Sequence, residues 1–499
     1  MKKVVLFLPP YSGQALGPPL GLLCLASPLR QAGYDVKIID GAIVPDYPAA
    51  IEREIPDALC FGVSLLTGPM ITHAAAAGRL VKRLRPELPV VFGGWHPSLL
   101  PEQTLREDFV DVVVRHQGEI TFQEVVSRID AGQSLDMVAG CWFKRDGRIH
   151  ENPDRATAPI ESLPPPAYNL MDFDAYEAVS GERTLPYATS VGCPYACHYC
   201  TDTVFYKRRF NAYGAQRVVE EVTSLVARHR LAKVALLDSN FLVDTRRAAD
   251  IARGFLASGL RFQWTFQAST DLLCRMTDEE VRLLGESGVN HIGFGTESAS
   301  EAVLVLMNKR HQRIPDMFET ARKCRQAGIR ATFNLILGYP GETEVDQQET
   351  FRVMGEIARR FGNVTFSPNI FTPYPGIPVW PELRRLGVEE PESLEAWADM
   401  ALGTNILPWL RGAAYERMKR RVSFFLLATE IARTLRKTAG SRLRRIVVQA
   451  VSRPLRWRLN YLFFRWPLNV CLFWARNRLV MRRSLITGQS LGNSLEKIC

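Results

Sequence analysis

The chain has 499 residues, 46% of them hydrophobic and 23% charged, which excludes overall disorder and supplies apolar residues for about three domain-sized cores. Its formal net charge is +10, concentrated late: from Arg411 to Arg483 the only acids are Glu416 and Glu430. Ten cysteines are too sparse for a disulfide scaffold, so they point to metal or redox chemistry in a reducing compartment, with the cytoplasm expected.

Lys2 and Lys3 precede the apolar run Val4–Leu8, which ends at Pro9-Pro10. That run is too short for a signal-peptide core and reads as a first buried strand. A helix at Leu20–Ala32, strands at Val36–Ile39 and Ala58–Val63, a helix at Ile71–Leu84 and a strand at Val90–Phe92 follow. The strand Val110–Val114 and a helix around Phe122–Ile129 continue the rhythm. Continuously apolar strands with helices between them predict a parallel sheet covered on both faces, a doubly wound Rossmann-like α/β domain over residues 1–145. Such a sheet takes its ligand beyond the carboxyl ends of its strands. Pro10-Tyr11-Ser12-Gly13, Ser64 and Gly93-Gly94-Trp95-His96 fall there, and each segment could equally be a plain turn.

Residues 146–184 lose the pattern and include Leu163-Pro164-Pro165-Pro166, which reads as a linker. Over residues 185–385 strands and helices alternate again. The strands are Tyr187–Ser190, Val234–Leu237, Phe262–Phe266, His291–Gly295, Arg330–Ile336 and Val364–Phe371. The helices are Val218–His229, Thr245–Ala257, Asp278–Ser287, Ile314–Ala327 and Glu344–Phe361. This array predicts a full or partial (β/α) barrel of TIM type, with its chemistry at the strand C-termini. Residues 386–499 are expected to be helical. The apolar stretches Val422–Ala428, Leu459–Phe464 and Trp466–Trp474 are too short to span a membrane, being broken by Arg458, Arg465 and Arg476. Aromatic residues beside arginine fit a peripheral membrane contact, and fit a helical lid on the barrel as well. Nucleic acid is disfavoured, because no reader motif accompanies the charge.

The segment Ser190-Val191-Gly192-Cys193-Pro194-Tyr195-Ala196-Cys197-His198-Tyr199-Cys200 carries the strongest chemical signal. Three thiolates on one compact loop can hold three irons of a [4Fe–4S] cluster and leave the fourth open. A single zinc ion is the competing reading. Zinc wants a fourth protein ligand, and His198, between the second and third cysteines, could not easily close one tetrahedron with them.

Cys193-x-x-x-Cys197-x-x-Cys200 after a first barrel strand resembles the signature loop of the radical S-adenosylmethionine (radical SAM) superfamily. The resemblance implies that S-adenosyl-L-methionine chelates the open iron and is cleaved by one electron to a 5′-deoxyadenosyl radical. It also implies an electron donor of flavodoxin or ferredoxin type. Tyr199 matches the position that packs on adenine, and Gly293-Phe294-Gly295-Thr296-Glu297 resembles the strand whose glutamate meets the ribose. Asp238, Gln267 and Asn334, at or near strand ends, are further candidates for binding S-adenosylmethionine, and Gly338-Tyr339-Pro340-Gly341-Glu342-Thr343 resembles a turn of the superfamily.

With the α/β domain in front, residues 1–375 are similar to the cobalamin-binding subgroup typified by the anaerobic magnesium-protoporphyrin IX monomethyl ester cyclase. On that likeness Pro10, Tyr11, Ser12, Gly13, Ser64, Gly93, Gly94, Trp95 and His96 would bind cobalamin. The motif Asp-x-His-x-x-Gly is absent, since Asp40-Gly41-Ala42 lacks the histidine, so cobalt is not expected to take a histidine from it. The expected function is a cobalamin-dependent methyltransferase acting on an unactivated carbon of a hydrophobic or amphiphilic small molecule. Oxidative cyclisation or rearrangement is the alternative, and a non-enzymatic cobalamin or iron–sulfur sensor a distant one.

Overall fold

The computed structural model describes residues 2–11, 18–400 and 407–422, together with Phe425. Ser12 and Gly13 lie outside them, as do Leu459–Phe464, Trp466–Trp474 and most of Val422–Ala428.

The first body is a seven-stranded sheet: β1 (Lys3–Leu8), β2 (Asp35–Asp40), β3 (Ala58–Ser64), β4 (Val90–Gly93), β5 (Val112–Val114), β6 (Cys141–Arg145) and β7 (Arg148–Glu151). Their spatial order is β2-β1-β3-β4-β5-β6-β7, parallel through β5 and antiparallel beyond it. In β1 the side-chain alternation sorts two cores. Val4 and Leu6 pack with Leu22, Ala26 and Leu29 of helix Leu20–Gln31, while Val5 and Phe7 pack with Ile51, Ile71 and Ala74 on the opposite face. Burial on both faces is why this strand reads as an unbroken apolar run. The predicted unit closes at residue 145, but the Asp146-Gly147 turn, left-handed at both residues, folds β7 back onto β6. The sheet therefore continues into the expected linker.

The second body is a six-stranded parallel sheet, so the barrel is partial: β8 (Thr184–Tyr187), then, after the small antiparallel pair β9 (Ser190–Val191) and β10 (Asn211–Ala212), β11 (Lys233–Leu236), β12 (Gln263–Ala268), β13 (Val289–Glu297), β14 (Arg330–Leu337) and β15 (Val364–Ile370). In β14 Ala331, Phe333, Leu335 and Leu337 are buried, while Thr332, Asn334 and Ile336 are half-buried on the opposite face. Amphipathic helices such as Ala215–His229 and Thr245–Ala257 alternate with the strands and bury Val218, Val222, Ile251 and Phe255. The predicted first strand, Tyr187–Ser190, starts three residues earlier and ends at Tyr187.

The two bodies meet through side chains. Trp95, after β4, stacks obliquely on Phe205 with ring centroids 4.3 Å apart, an aromatic contact of about 1 kcal/mol beyond its area burial. The Tyr176 hydroxyl donates to Asp40 at 3.1 Å, and the Ala167 amide donates to the Leu23 carbonyl at 3.1 Å. The Trp95 contact sets the carboxyl edge of the first sheet against the segment that carries the cysteines, while the other two tie the connecting stretch to the first body.

Candidate active site at the domain interface

The cysteine loop is set by one glycine. Gly192 has φ +76°, and a Cβ there would stand 2.0 Å from the Arg209 carbonyl oxygen, so only glycine passes between β9 and the loop. Backbone bonds then pin the loop: His198 N–H to Met307 O at 3.0 Å, Val379 N–H to His198 O at 3.3 Å, and Asn308 Nδ2 to Ala196 O at 2.8 Å. Gly192→Ala is expected to cost at least about 1–3 kcal/mol, from backbone strain and the clash, and to lower cluster loading. Anaerobic thermal melts with iron analysis check this, and an unchanged melting temperature would refute it.

Cys197 is buried, and Cys193 and Cys200 are half-buried. Burial pushes the Cys200 thiol up to about 12 and raises that of Cys193. Such thiols stay protonated at neutral pH unless a cationic centre draws out the thiolates, which is what iron does. Among the described residues no three His, Cys, Asp or Glu side chains close around one metal-ion point. A cubane differs from such a site in placing each thiolate on its own iron. Three cysteines within eight residues, on a pinned loop at the mouth of a barrel, fit that group.

Tyr199, Glu297 and Lys309 form one buried network. The Tyr199 hydroxyl donates to Glu297 Oε1 at 3.0 Å, Lys309 Nζ donates to the Tyr199 oxygen at 3.0 Å, and Nζ lies 3.6 Å from the same carboxylate oxygen. Burial works to lower the Lys309 pKa, but Glu297 first, and the cysteine sulfurs once they are thiolates, carry it above its ordinary value, so the ammonium stays charged beside the loop. Glu297 ends β13 at φ +56°, where the pairing with β14 slips by one residue. That left-handed turn brings its carboxylate within 2.6 Å of where a Gly295 Cβ would be, so Gly295 has to lack one.

Asp238 is 1% exposed and accepts from the Thr189 amide at 2.8 Å, the Thr189 hydroxyl at 2.5 Å and the Ser190 hydroxyl. It clasps the chain between β8 and the cysteine loop. Gln267 lies over Gly293, whose Cβ would meet its Oε1 at 2.2 Å. Asn334 stands in register between Gly295 on β13 and Ser367 on β15. Tyr199 and Glu297 are thus in direct contact, with Gln267 and Asn334 across neighbouring strands.

A cavity of about 410 Å³ opens between the two bodies. Its walls include Gly21, Ser64, Gly93, Trp95 and His116 from the first body and Leu237 from the barrel. The strand order places it beside the β1/β3 switch point of a 2-1-3-4-5 sheet, where this architecture takes ligands. Among the described residues nothing lies within 4 Å of where a Gly21 Cβ would be, and Gly62 and Gly118 also line the space. Gly94, also in the wall, could not carry a Cβ, which would lie 2.8 Å from the Leu65 carbonyl oxygen at φ +93°. His116 is held at φ +59°; its Nε2 is 3.5 Å from Asp154 without hydrogen-bond geometry, and Nδ1 has no partner among the described residues. Burial lowers its pKa, leaving a neutral ring that can give or accept a hydrogen bond. Glycine-paved apolar walls with the unpaired, buried ring nitrogens of His116 among them fit a broad, flat group fringed with amides, as a corrin is.

Of the residues expected to bind cobalamin, Ser64, Gly93, Gly94 and Trp95 line this cavity. Pro10 instead packs over Gly41, and Tyr11 is half-buried near Gly68, both outside the wall. His96 is fully buried under Trp397, hydrogen-bonded through Nδ1 to Thr67 Oγ1 at 3.0 Å, and burial pulls its pKa down to about 3. Sequence reasoning missed Cys24, His116 and Glu119 of the wall, and Lys309, while Gly21 lies in a segment, Pro18-Pro19-Leu20-Gly21-Leu22, that shares in the likeness to the cobalamin-binding subgroup without having been expected to bind. His116 and Glu119 follow a predicted strand, the signal that selected the other turns. Lys309 sits between two helices with no signal of its own.

Comparison with known proteins agrees with this division. Residues 13–126 match the B12 binding domain family and residues 187–354 the radical SAM superfamily. An uncharacterized methyltransferase of Pyrococcus horikoshii is 31% identical over 392 residues, 76% of this chain and 82% of that one. The anaerobic magnesium-protoporphyrin IX monomethyl ester cyclase of Rubrivivax gelatinosus is 26% identical over 381 residues, 73% of this chain and 66% of that one. The solved structure of the cobalamin-dependent S-adenosylmethionine radical enzyme OxsB, with aqua-cobalamin and S-adenosylmethionine bound, superposes with a TM-score of 0.73 at 16% identity, over 93% of this chain and 72% of that one. That likeness shows the shared fold.

Proposed function

The chain belongs to the cobalamin-dependent radical SAM enzymes, and from that premise we propose that it methylates an unactivated carbon of a hydrophobic or amphiphilic small molecule at the interface just described. The observation that carries the reading is the shared lining of that cavity: Ser64 and Trp95 from one body and Leu237, Ser190 and Ser239 from the other border the same space, next to the cysteine loop. When bound, the cluster and S-adenosylmethionine supply a 5′-deoxyadenosyl radical and cobalamin supplies the methyl group.

The protein's own residues have definite tasks in this reading. Cys193, Cys197 and Cys200 hold the cluster, and Asp238 fixes the backbone that presents them. Tyr199 and Glu297 border the nucleoside of S-adenosylmethionine, with Glu297 accepting from ribose hydroxyls and Lys309 opposing the burial that raises its carboxyl pKa. Gln267 and Asn334 orient the methionyl part from the strand faces. Ser64, Gly93, Gly94 and Trp95 bear on the corrin, and apolar Leu237, 56% exposed, faces substrate and excludes water from the reacting carbon.

The electron comes from a small reduced carrier. No described helix is long and apolar enough to cross a membrane, and the basic, aromatic C-terminal segment gives the enzyme a peripheral contact with the membrane surface where an amphiphilic substrate resides. Anaerobic incubation of the reconstituted enzyme with S-adenosylmethionine, dithionite and candidate amphiphiles tests the reading. It is expected to yield both 5′-deoxyadenosine and S-adenosylhomocysteine. Deoxyadenosine with a modified substrate but no homocysteine product would favour cyclisation, and neither product would overturn the assignment.

A further inference from the structure

Directly after the short helix Asp202–Phe205 the chain turns through two left-handed residues, Lys207 at φ +50° and Arg208 at φ +61°. Neither residue favours that conformation, so the loop is held by its surroundings. The turn presents three exposed cations in succession, Lys207, Arg208 and Arg209. It also lies hard against the cysteine loop: the Arg209 carbonyl excludes any Cβ at Gly192, and Arg208 Nε donates to the Pro194 carbonyl at 3.3 Å.

The other flank of the same loop is cationic too. Tyr195 donates to Asp271 at 2.6 Å, and that carboxylate pairs with Arg275, whose side chain is 65% exposed. Tyr195 also stacks on His311 at 3.6 Å, which sets the exposed Arg310 beside it. The nearby acids are spent: Asp271 and Asp202 are buried, and Asp154 is shared between Lys207 and Arg115. Among the described residues Arg208, Arg209 and Arg310 have no carboxylate partner. Meanwhile Tyr199 and Lys309 turn inward to Glu297, so the loop has an inner face for the cofactor and an outer face ringed by positive charge.

We propose that this outer face, centred on Arg208, Arg209, Arg275 and Arg310, docks a small acidic redox protein that reduces the cluster through the cysteine loop. The proposal rests on the assignment of a cluster to Cys193, Cys197 and Cys200. The carrier loses one electron, a flavin hydroquinone becoming a semiquinone or a reduced iron–sulfur group its oxidised form, and the cluster gains it, passing from the 2+ to the 1+ state. Any flavin proton goes to solvent. Opposite charge on the two surfaces raises the encounter rate and makes it fall with salt.

The test compares wild type with Arg209→Glu/Arg310→Glu, leaving Arg208 to hold Pro194. Cluster reduction is followed by stopped-flow absorbance with flavodoxin hydroquinone as one reductant and dithionite as the other. The double variant is expected to be reduced by flavodoxin about 10–100-fold more slowly at low ionic strength, with the salt dependence largely gone. Its reduction by dithionite is expected to be unchanged. Equal flavodoxin rates would overturn the proposal, as would an equal loss with dithionite that the Arg209→Gln/Arg310→Gln variant shares, since the arginines would then be structural. A raised substrate KM with unchanged flavodoxin reduction would assign the face to an anionic substrate instead. Wild-type protein that holds no dithionite-reducible cluster would sink the cluster assignment, a different failure read in the same experiment.

Discussion

Replacing Cys197 with alanine should empty the iron site while leaving the corrin in place. Cys197 is buried on the pinned loop, whose backbone hydrogen bonds the change leaves in place, and the change trims a single sulfur atom, so the fold should lose no more than about 1 kcal/mol. Iron is expected to fall from about four per chain to background, because two thiolates alone do not hold a cubane in water. Formation of 5′-deoxyadenosine should fall to background with it. The corrin binds some distance along the same interface, in walls built from the first sheet, and its content should match wild type. Iron and sulfide analysis with the visible spectrum of the loaded protein check both halves.

The opposite loss is expected from Gly21→Phe. Gly21, the second residue of helix Leu20–Gln31, lines the cavity, and among the described residues no atom lies within 4 Å of where its Cβ would be. A side chain there meets no backbone clash with them, and removing a glycine from a helix gains a few tenths to about 1 kcal/mol. The phenyl ring would instead take up part of the cavity. Corrin affinity is expected to drop at least about tenfold, a change of about 1.4 kcal/mol. Iron content and dithionite-driven deoxyadenosine should persist, now without S-adenosylhomocysteine.

Much of this architecture was legible because the signals were local. Unbroken apolar strands between amphipathic helices specify a parallel sheet covered on both sides, and the strand and helix bounds moved by only a few residues. The cysteine spacing is self-contained, so Cys193, Cys197 and Cys200 could be read without a fold. What escaped depends on tertiary contact. The return of β7 onto β6 hangs on a two-residue turn inside a polar stretch. The first barrel strand was placed late because Thr184–Tyr187 holds a proline and a charged neighbour, while its true partner β11 lies about fifty residues on. Asp238 was expected at the cofactor, and its acceptor capacity is instead engaged by Thr189 and Ser190. His96 looked like part of a ligand turn, yet the strand-to-helix corner after Gly94 sends its ring into the core beneath Trp397. Lys309 could be found only once Tyr199 and Glu297 had been brought together.

The central claim is that two cofactors are held by separate bodies on either side of the cavity that both bodies line. Its most direct test is iron and corrin content, measured side by side on anaerobically reconstituted wild type, Cys197→Ala and Gly21→Phe. Reciprocal losses are predicted, with iron missing from the first variant and corrin from the second. Loss of both groups in either folded variant, or a wild type that takes up no corrin, would contradict it.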